Sequence, residues 1–188
     1  LIELVKAGAI GNLKEAHTWT NRPVWAQGMH RPRKIDAVPS SLDWNSWIGP
    51  APLRHFTENT YRGLAWRGWR DFGAGALGDM ACHTMDGVFW AFDPGHPTSV
   101  EPVMVEGLTG DAFPTASTVK WEFPAKGDRP AFTAYWYDGT LADDEPNMPP
   151  RPEELDEDLR LPRSGNLFIG DEGTILVSGD YGGGPRLI

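Results

Sequence analysis

Phe132, Ala134 and Trp136 alternate with Thr133, Tyr135 and Tyr137, the period-two pattern of a β-strand with two substantial faces. Such a strand belongs inside a sheet covered on both sides, by a helix on one face and by a subunit partner on the other. The same reading predicts a strand over 13–20 ending before Pro23, strands over 98–108, 116–123 and 131–137, and a pair over 167–170 and 174–178 around Asp171-Glu172-Gly173. Strands that follow one another without intervening helices imply antiparallel pairing. One long helix is predicted over 76–91, stopped before Asp93-Pro94-Gly95. Residues 1–8 read as the last two turns of a helix closed by Gly8, with no start signal, so the chain is expected to begin in mid-element. A Pro- and Trp-rich excursion over 21–61 holds one short helix near 42–48, with Ser40 or Ser41 as its cap.

Composition places this pattern in a single domain spanning 1–188. A chain of 188 residues, 40% apolar and 23% charged, can bury a proper core. Nine Trp, 17 Pro and 22 Gly imply long, well-packed loops that carry function or assembly. The net charge of -9 provides no basic footprint for nucleic acid or an anionic membrane, and leaves small neutral or polar ligands. Cys82 is the only cysteine, which excludes an internal disulfide, a cysteine zinc cluster and a redox pair. No apolar stretch reaches the roughly 20 residues that span a bilayer, so the default expectation is a soluble, cytoplasmic chain, although nothing fixes the compartment. The acidic, Pro-rich segment 140–164 reads as an exposed solvated loop, with a divalent-cation site at Asp156, Glu157 and Asp158 as the alternative.

The chemistry concentrates on the predicted helix. Asp79, His83 and Asp86 stand at i, i+4 and i+7, on one helical face, behind the glycine-rich run Gly73-Ala-Gly-Ala-Leu-Gly78. Asp79 falls where the helix dipole favours a carboxylate, and one turn on it could hold His83 in a fixed tautomer for proton exchange near neutral pH. Two other readings stand beside this one: His83 bonded to a backbone carbonyl with the acids capping or bridging, or a Mn²⁺, Zn²⁺ or Fe²⁺ site needing further ligands. The run also spells G-x-G-x-x-G, but the dinucleotide reading is rejected. The segment before it, Trp66-Arg-Gly-Trp-Arg-Asp71, is no buried strand, and an antiparallel series follows. Trp25, Trp44, Trp47, Trp66 and Trp69 serve as core or as sugar-stacking faces; Arg67 and Arg70 pair with Asp71 or meet a substrate. Cys82, on another face of the helix, is expected to be a buried, inert thiol.

Four segments together resemble the C-terminal domain of the Gfo/Idh/MocA oxidoreductases: Leu4-Val-Lys-Ala-Gly-Ala-Ile-Gly11, Leu42-Asp-Trp-Asn-Ser-Trp-Ile-Gly-Pro50, the run from Trp66 to His83, and Gly165-Asn-Leu-Phe-Ile-Gly-Asp-Glu-Gly173. The resemblance implies an α+β fold with an open, mostly antiparallel sheet and helices packed on one face. It implies the substrate-binding and oligomerising domain of an NAD(P)-dependent dehydrogenase for a sugar- or cyclitol-type substrate, forming homo-oligomers through the sheet face. It puts catalysis on His83, with Asp79 orienting it or assisting proton transfer; Asp86, Trp66, Trp69 and Arg67 join as substrate-binding candidates from the residues themselves. The family's dinucleotide-binding domain and its E-K-P lysine have no counterpart here, so no cofactor is expected in this chain, NAD or NADP being expected only with that N-terminal domain. Two rival expectations remain. One is a cofactor-independent hydrolase of lactones, esters or glycosides in which His83 activates water; the other is a non-catalytic binding or assembly module.

Overall fold

The computed structural model describes residues 1–188. Its helices are α1 (Ile2–Lys6), α2 (Trp44–Ile48), α3 (Gly75–Thr84) and α4 (Asp86–Phe92), with a 3₁₀ turn at Ala65–Gly68. Its strands are β1 (Leu13–Trp19), β2 (Ser99–Glu106), β3 (Ala116–Phe123), β4 (Phe132–Gly139), β5 (Gly165–Gly170), β6 (Thr174–Ser178) and β7 (Gly183–Leu187). All seven strands join one sheet in the order β2-β3-β4-β1-β5-β6-β7. The fold is α+β and the sheet mostly antiparallel, as expected, but β1 lies parallel to β4, with Ala16 opposite Ala134 and Thr18 opposite Trp136. That one parallel pairing fits a mostly antiparallel sheet: β1 enters the sheet's middle from far away in the sequence, which no local pattern records.

Alternation sorts the two faces. On the helix side Phe123, Phe132, Ala134, Ala16, Phe168, Ile175 and Val177 pack with Val88 of α4 and with Leu4 and Val5 of α1. Alongside, Trp136 packs with Met80 and Met85, so α3 sits over β4. The predicted helix over 76–91 is broken at Met85. Thr84 Oγ1 donates to the Met80 carbonyl at 3.1 Å, a back-bond that bends helices, and Val88 N–H shifts to the Met85 carbonyl. The break re-aims Asp86, which opens α4.

The acidic segment does more than stay in solvent. Leu155 is 3% exposed and packs with Trp19, Tyr137, Leu167 and Leu176 on the sheet's second face, with Met148, Leu159 and Leu161 around it. The eight acids stay exposed as expected of a solvated loop, while a few apolar residues among them anchor the segment on the face assigned to a subunit partner. The excursion over 21–61 likewise folds on itself: Trp44, Ile48, Phe56, Tyr61 and Trp69 form a separate aromatic core. Asp43, and neither Ser40 nor Ser41, caps α2 by accepting from Ser46 N–H at 3.1 Å. Gly8, at φ +76°, follows α1 as expected. No helix is long and apolar enough to cross a membrane.

On the second face His17 is 4% exposed, with its ring stacked on Tyr135 and Tyr137. Nδ1 meets Tyr137 Oη at 3.0 Å and Nε2 meets Glu15 Oε2 at 3.1 Å. Burial pushes this imidazole below its usual 6.5, with the Glu15 contact opposing. As pH falls below 6.5 the unfolded chain takes up a proton that the folded chain refuses until its lower value is reached. The stabilisation from a neutral His17 is therefore complete above 6.5 and lost as pH falls through the folded value. Urea midpoints at pH 7.5 and 5.5 are expected to fall with acidification, and the fall should shrink in His17→Gln; an unchanged slope in that variant would refute the assignment.

Candidate functional site

α3 is positioned by glycines. Gly75 opens it at φ +65°, and a Cβ there would lie 2.6 Å from the Phe113 ring; Gly73 has the Arg67 backbone at 2.4 Å and Gly78 the Ala74 methyl at 2.4 Å. All three glycines of the G-x-G-x-x-G run are thus used up by close packing within the chain. The preceding residues form a 3₁₀ turn, and only a lone bridge joins Trp69 to Ala112. The residues present do not fit a dinucleotide, which needs an open glycine turn between a buried strand and its helix. Gly75→Ala is expected to destabilise the fold by about 1–3 kcal/mol, from left-handed strain alone before the clash, measured as a lowered melting temperature.

The three residues of the predicted face separate into two groups. Asp79 Oδ1 accepts from Arg67 Nε at 3.0 Å, and the Arg67 guanidinium lies over the rings of Trp66 (4.5 Å) and Trp25 (5.6 Å). Asp79 has no hydrogen bond to His83; its partner is the arginine, which the notion of an Asp79-held imidazole overlooked. Arg67 in turn does not pair with Asp71, which is held by Arg31 at 2.9 Å and by Arg54.

His83 is exposed, and neither ring nitrogen has a partner in the protein; its ring meets that of Tyr181 edge-on, centroids 5.2 Å apart. With Asp86, Trp90, Asn166 and Tyr181 it lines a cleft of about 200 Å³ between the α3–α4 bend and the β6–β7 turn. A neutral imidazole with both nitrogens unengaged can accept one proton and donate another, beside a carboxylate at Asp86. No cluster of three or more metal-ligating side chains is assembled, here or at Asp156, Glu157 and Asp158.

Trp69 does not belong to the site. It is 1% exposed, and its Nε1 donates to the Thr60 carbonyl at 2.8 Å within the aromatic core. Trp44 and Trp47 stack on each other at 5.0 Å in the same core. Trp66 and Arg67 remain partly exposed, next to Asp79 and not in the His83 cleft. Cys82, expected to be buried, is exposed, because the α3 face that carries it turns away from the sheet. Asn166 and Tyr181 escaped the sequence reading. Tyr181 sits in a glycine-rich turn without pattern, whereas Asn166 left one signal, a polar residue two before Phe168 on the core-facing register of β5.

The profile of an oxidoreductase family, C-terminal alpha/beta domain, of the Gfo/Idh/MocA group, matches residues 10–124. A comparison with curated proteins finds no match. Similar solved structures include a WlbA dehydrogenase from Bordetella pertussis in complex with NADH and UDP-GlcNAcA, at 14% identity and TM-score 0.46 over 99% of this chain and 40% of that one. An oxidoreductase from Sinorhizobium meliloti matches at 10% identity and TM-score 0.44, over 100% of this chain and 37% of that one. The apo form of a levoglucosan dehydrogenase matches at 13% identity and TM-score 0.45, over 100% of this chain and 43% of that one. The chain spans about two fifths of the length of these structures.

Proposed function

The chain belongs to the Gfo/Idh/MocA oxidoreductase family through its C-terminal alpha/beta domain, and from that premise we propose that it is the substrate-binding part of an NAD(P)-dependent dehydrogenase acting on a polyhydroxylated, sugar-like molecule. The observation that carries this reading is the unengaged imidazole of His83 in a cleft where Asp86, Asn166 and Tyr181 converge among apolar walls of Leu1, Ile2 and Trp90. His17, by contrast, has both ring nitrogens engaged inside the sheet. Hydride transfer is the nicotinamide's chemistry, and on this reading a nucleotide-binding domain would hold it; the close packing of the glycine run here supports that reading. His83 exchanges a proton with the reacting hydroxyl or carbonyl oxygen, Asp86 accepts from a neighbouring hydroxyl, and Tyr181 walls the ligand against the histidine. Asp79 acts at one remove, fixing Arg67 against Trp66 and Trp25 at the start of α3. The part-exposed Thr133, Tyr135 and Ile169 on the second sheet face support an assembly role there.

Two titrations of this chain test the reading. NAD and NADP are expected not to bind tightly, and millimolar D-glucose, D-glucuronate or myo-inositol is expected to shift the His83 ring resonances. Micromolar dinucleotide binding would place the cofactor in this chain after all. A silent His83 across the whole panel would remove the substrate assignment.

A further inference from the structure

Asn166 occupies a position that alternation along β5 assigns to the core. It faces the helices with Phe168, opposite Thr18 of β1 and Val177 of β6, and is 1% exposed. A Leu or Val would fill such a position without leaving any polar group to satisfy. Its Oδ1 accepts from the Thr18 hydroxyl at 2.8 Å, itself 1% exposed. With the hydroxyl donating to Oδ1, Nδ2 is directed away from Thr18. Nδ2 makes no hydrogen bond within the protein and is not among the side-chain atoms sealed from solvent without a partner, so it is open on the side of the His83 cleft that Asn166 lines. An amide donor with no protein partner that still reaches the cleft is free to donate to a ligand oxygen.

We propose that Asn166 is a substrate-binding residue: its Nδ2 donates to one hydroxyl or carbonyl oxygen of the ligand in the His83 cleft, in an orientation set by Thr18. The inference rests on the proposed function and sharpens it. The other polar side chains of the cleft are a carboxylate that only accepts, at Asp86, the Thr84 hydroxyl, whose proton already goes to the Met80 carbonyl, and an imidazole and a phenol that can do either. Asn166 supplies a donor that cannot switch roles while Thr18 holds Oδ1. An oxygen that accepts from Nδ2 and passes its own proton to His83 or Asp86 satisfies both sides at once, which an ether oxygen or a methylene cannot do. The cleft therefore selects for a hydroxyl at one defined ligand position, and Thr18 is the positioning residue that enforces the selection.

The test needs no mutation at first. In ¹⁵N-labelled chain titrated with D-glucose, D-glucuronate and myo-inositol, the Asn166 side-chain NH₂ signals are expected to shift together with the His83 ring. Among monodeoxy analogues of the ligand that binds, one should weaken about tenfold and leave the Asn166 signals in place. Asn166→Ala should weaken the parent ligand about tenfold and bind that same deoxy analogue as well as the parent, while remaining sensitive to the other deoxy positions. Thr18→Val, which keeps the shape and frees the amide to turn, should lose part of the same discrimination. If the His83 resonances respond and the Asn166 NH₂ does not, this inference is overturned and the function reading stands. If neither responds to any of the three ligands, both fall. An Asn166→Ala chain that folds and retains parent affinity also overturns it. Should that variant fail to fold, the NH₂ signals of the unmodified chain decide.

Discussion

Trp136→Ala is expected to cost about 3–5 kcal/mol of folding free energy, the range for emptying a large buried aromatic site. Trp136 is fully buried between the central strands and α3, packed with Met80 and Met85. Its Nε1 also donates to Asp138 Oδ2 at 2.8 Å, and Asp138 is itself 2% exposed, held otherwise by the N–H and hydroxyl of Ser117 at 2.8 and 2.9 Å. Burial pushes the Asp138 carboxyl above its ordinary value despite these three donors, so withdrawing one of them deepens the loss. Trp136→Phe keeps most of the volume while removing the N–H and the rest of the indole, and should cost about 1–3 kcal/mol, less than Trp136→Ala. Guanidinium unfolding with unchanged slope and a lowered midpoint is the readout. A Trp136→Ala midpoint within error of the parent would mean that α3 does not rest on this side chain.

His83→Ala, introduced into a dehydrogenase that carries this domain beside its nucleotide-binding domain, should lower kcat by about 10²–10⁴-fold, the contribution of a positioned general acid–base. The melting temperature should hardly move, because the ring is exposed and bonds to nothing but its contact with Tyr181. Asp79→Asn makes the instructive comparison. If Asp79 works through Arg67 and not through the imidazole, this variant should alter KM and leave the pH profile of kcat in place. A displaced pH profile would restore the direct Asp79–His83 couple that the spacing on α3 suggested.

That spacing shows how far the sequence could be read. Asp79 and His83 do share a helix, but a face drawn at 100° per residue says nothing of an arginine twelve residues back, and Arg67 takes the carboxylate. The strands over 116–123 and 174–178 were legible to the residue, the first from its alternating Val119, Trp121 and Phe123, the second from its short β-branched apolar run, each bounded by Pro or Gly. β7 was not: Gly183-Gly-Pro-Arg-Leu187 has no alternation and is strand only by pairing with β6. Leu155, Leu159 and Leu161 are too sparse among acids and prolines to announce a buried anchor, and only the apolar sheet opposite them makes them one. Asn166 belongs to the same category in reverse, a polar residue whose meaning appears when the α3–α4 bend is placed above it.

The strand order has a consequence in time as well as in space. β1, near the start of the chain, fills the gap between β4 and β5, with pairings as distant as Thr18 to Asn166. During synthesis it must wait unpaired until residues past 132 and then past 165 have been made, so the centre of the sheet closes late. Such non-local closure makes folding slow. The long-lived precursor presents a bare β1 with Ala16, Thr18 and Trp19 uncovered, and expression at low temperature or with chaperones present is the condition under which this domain should best escape aggregation.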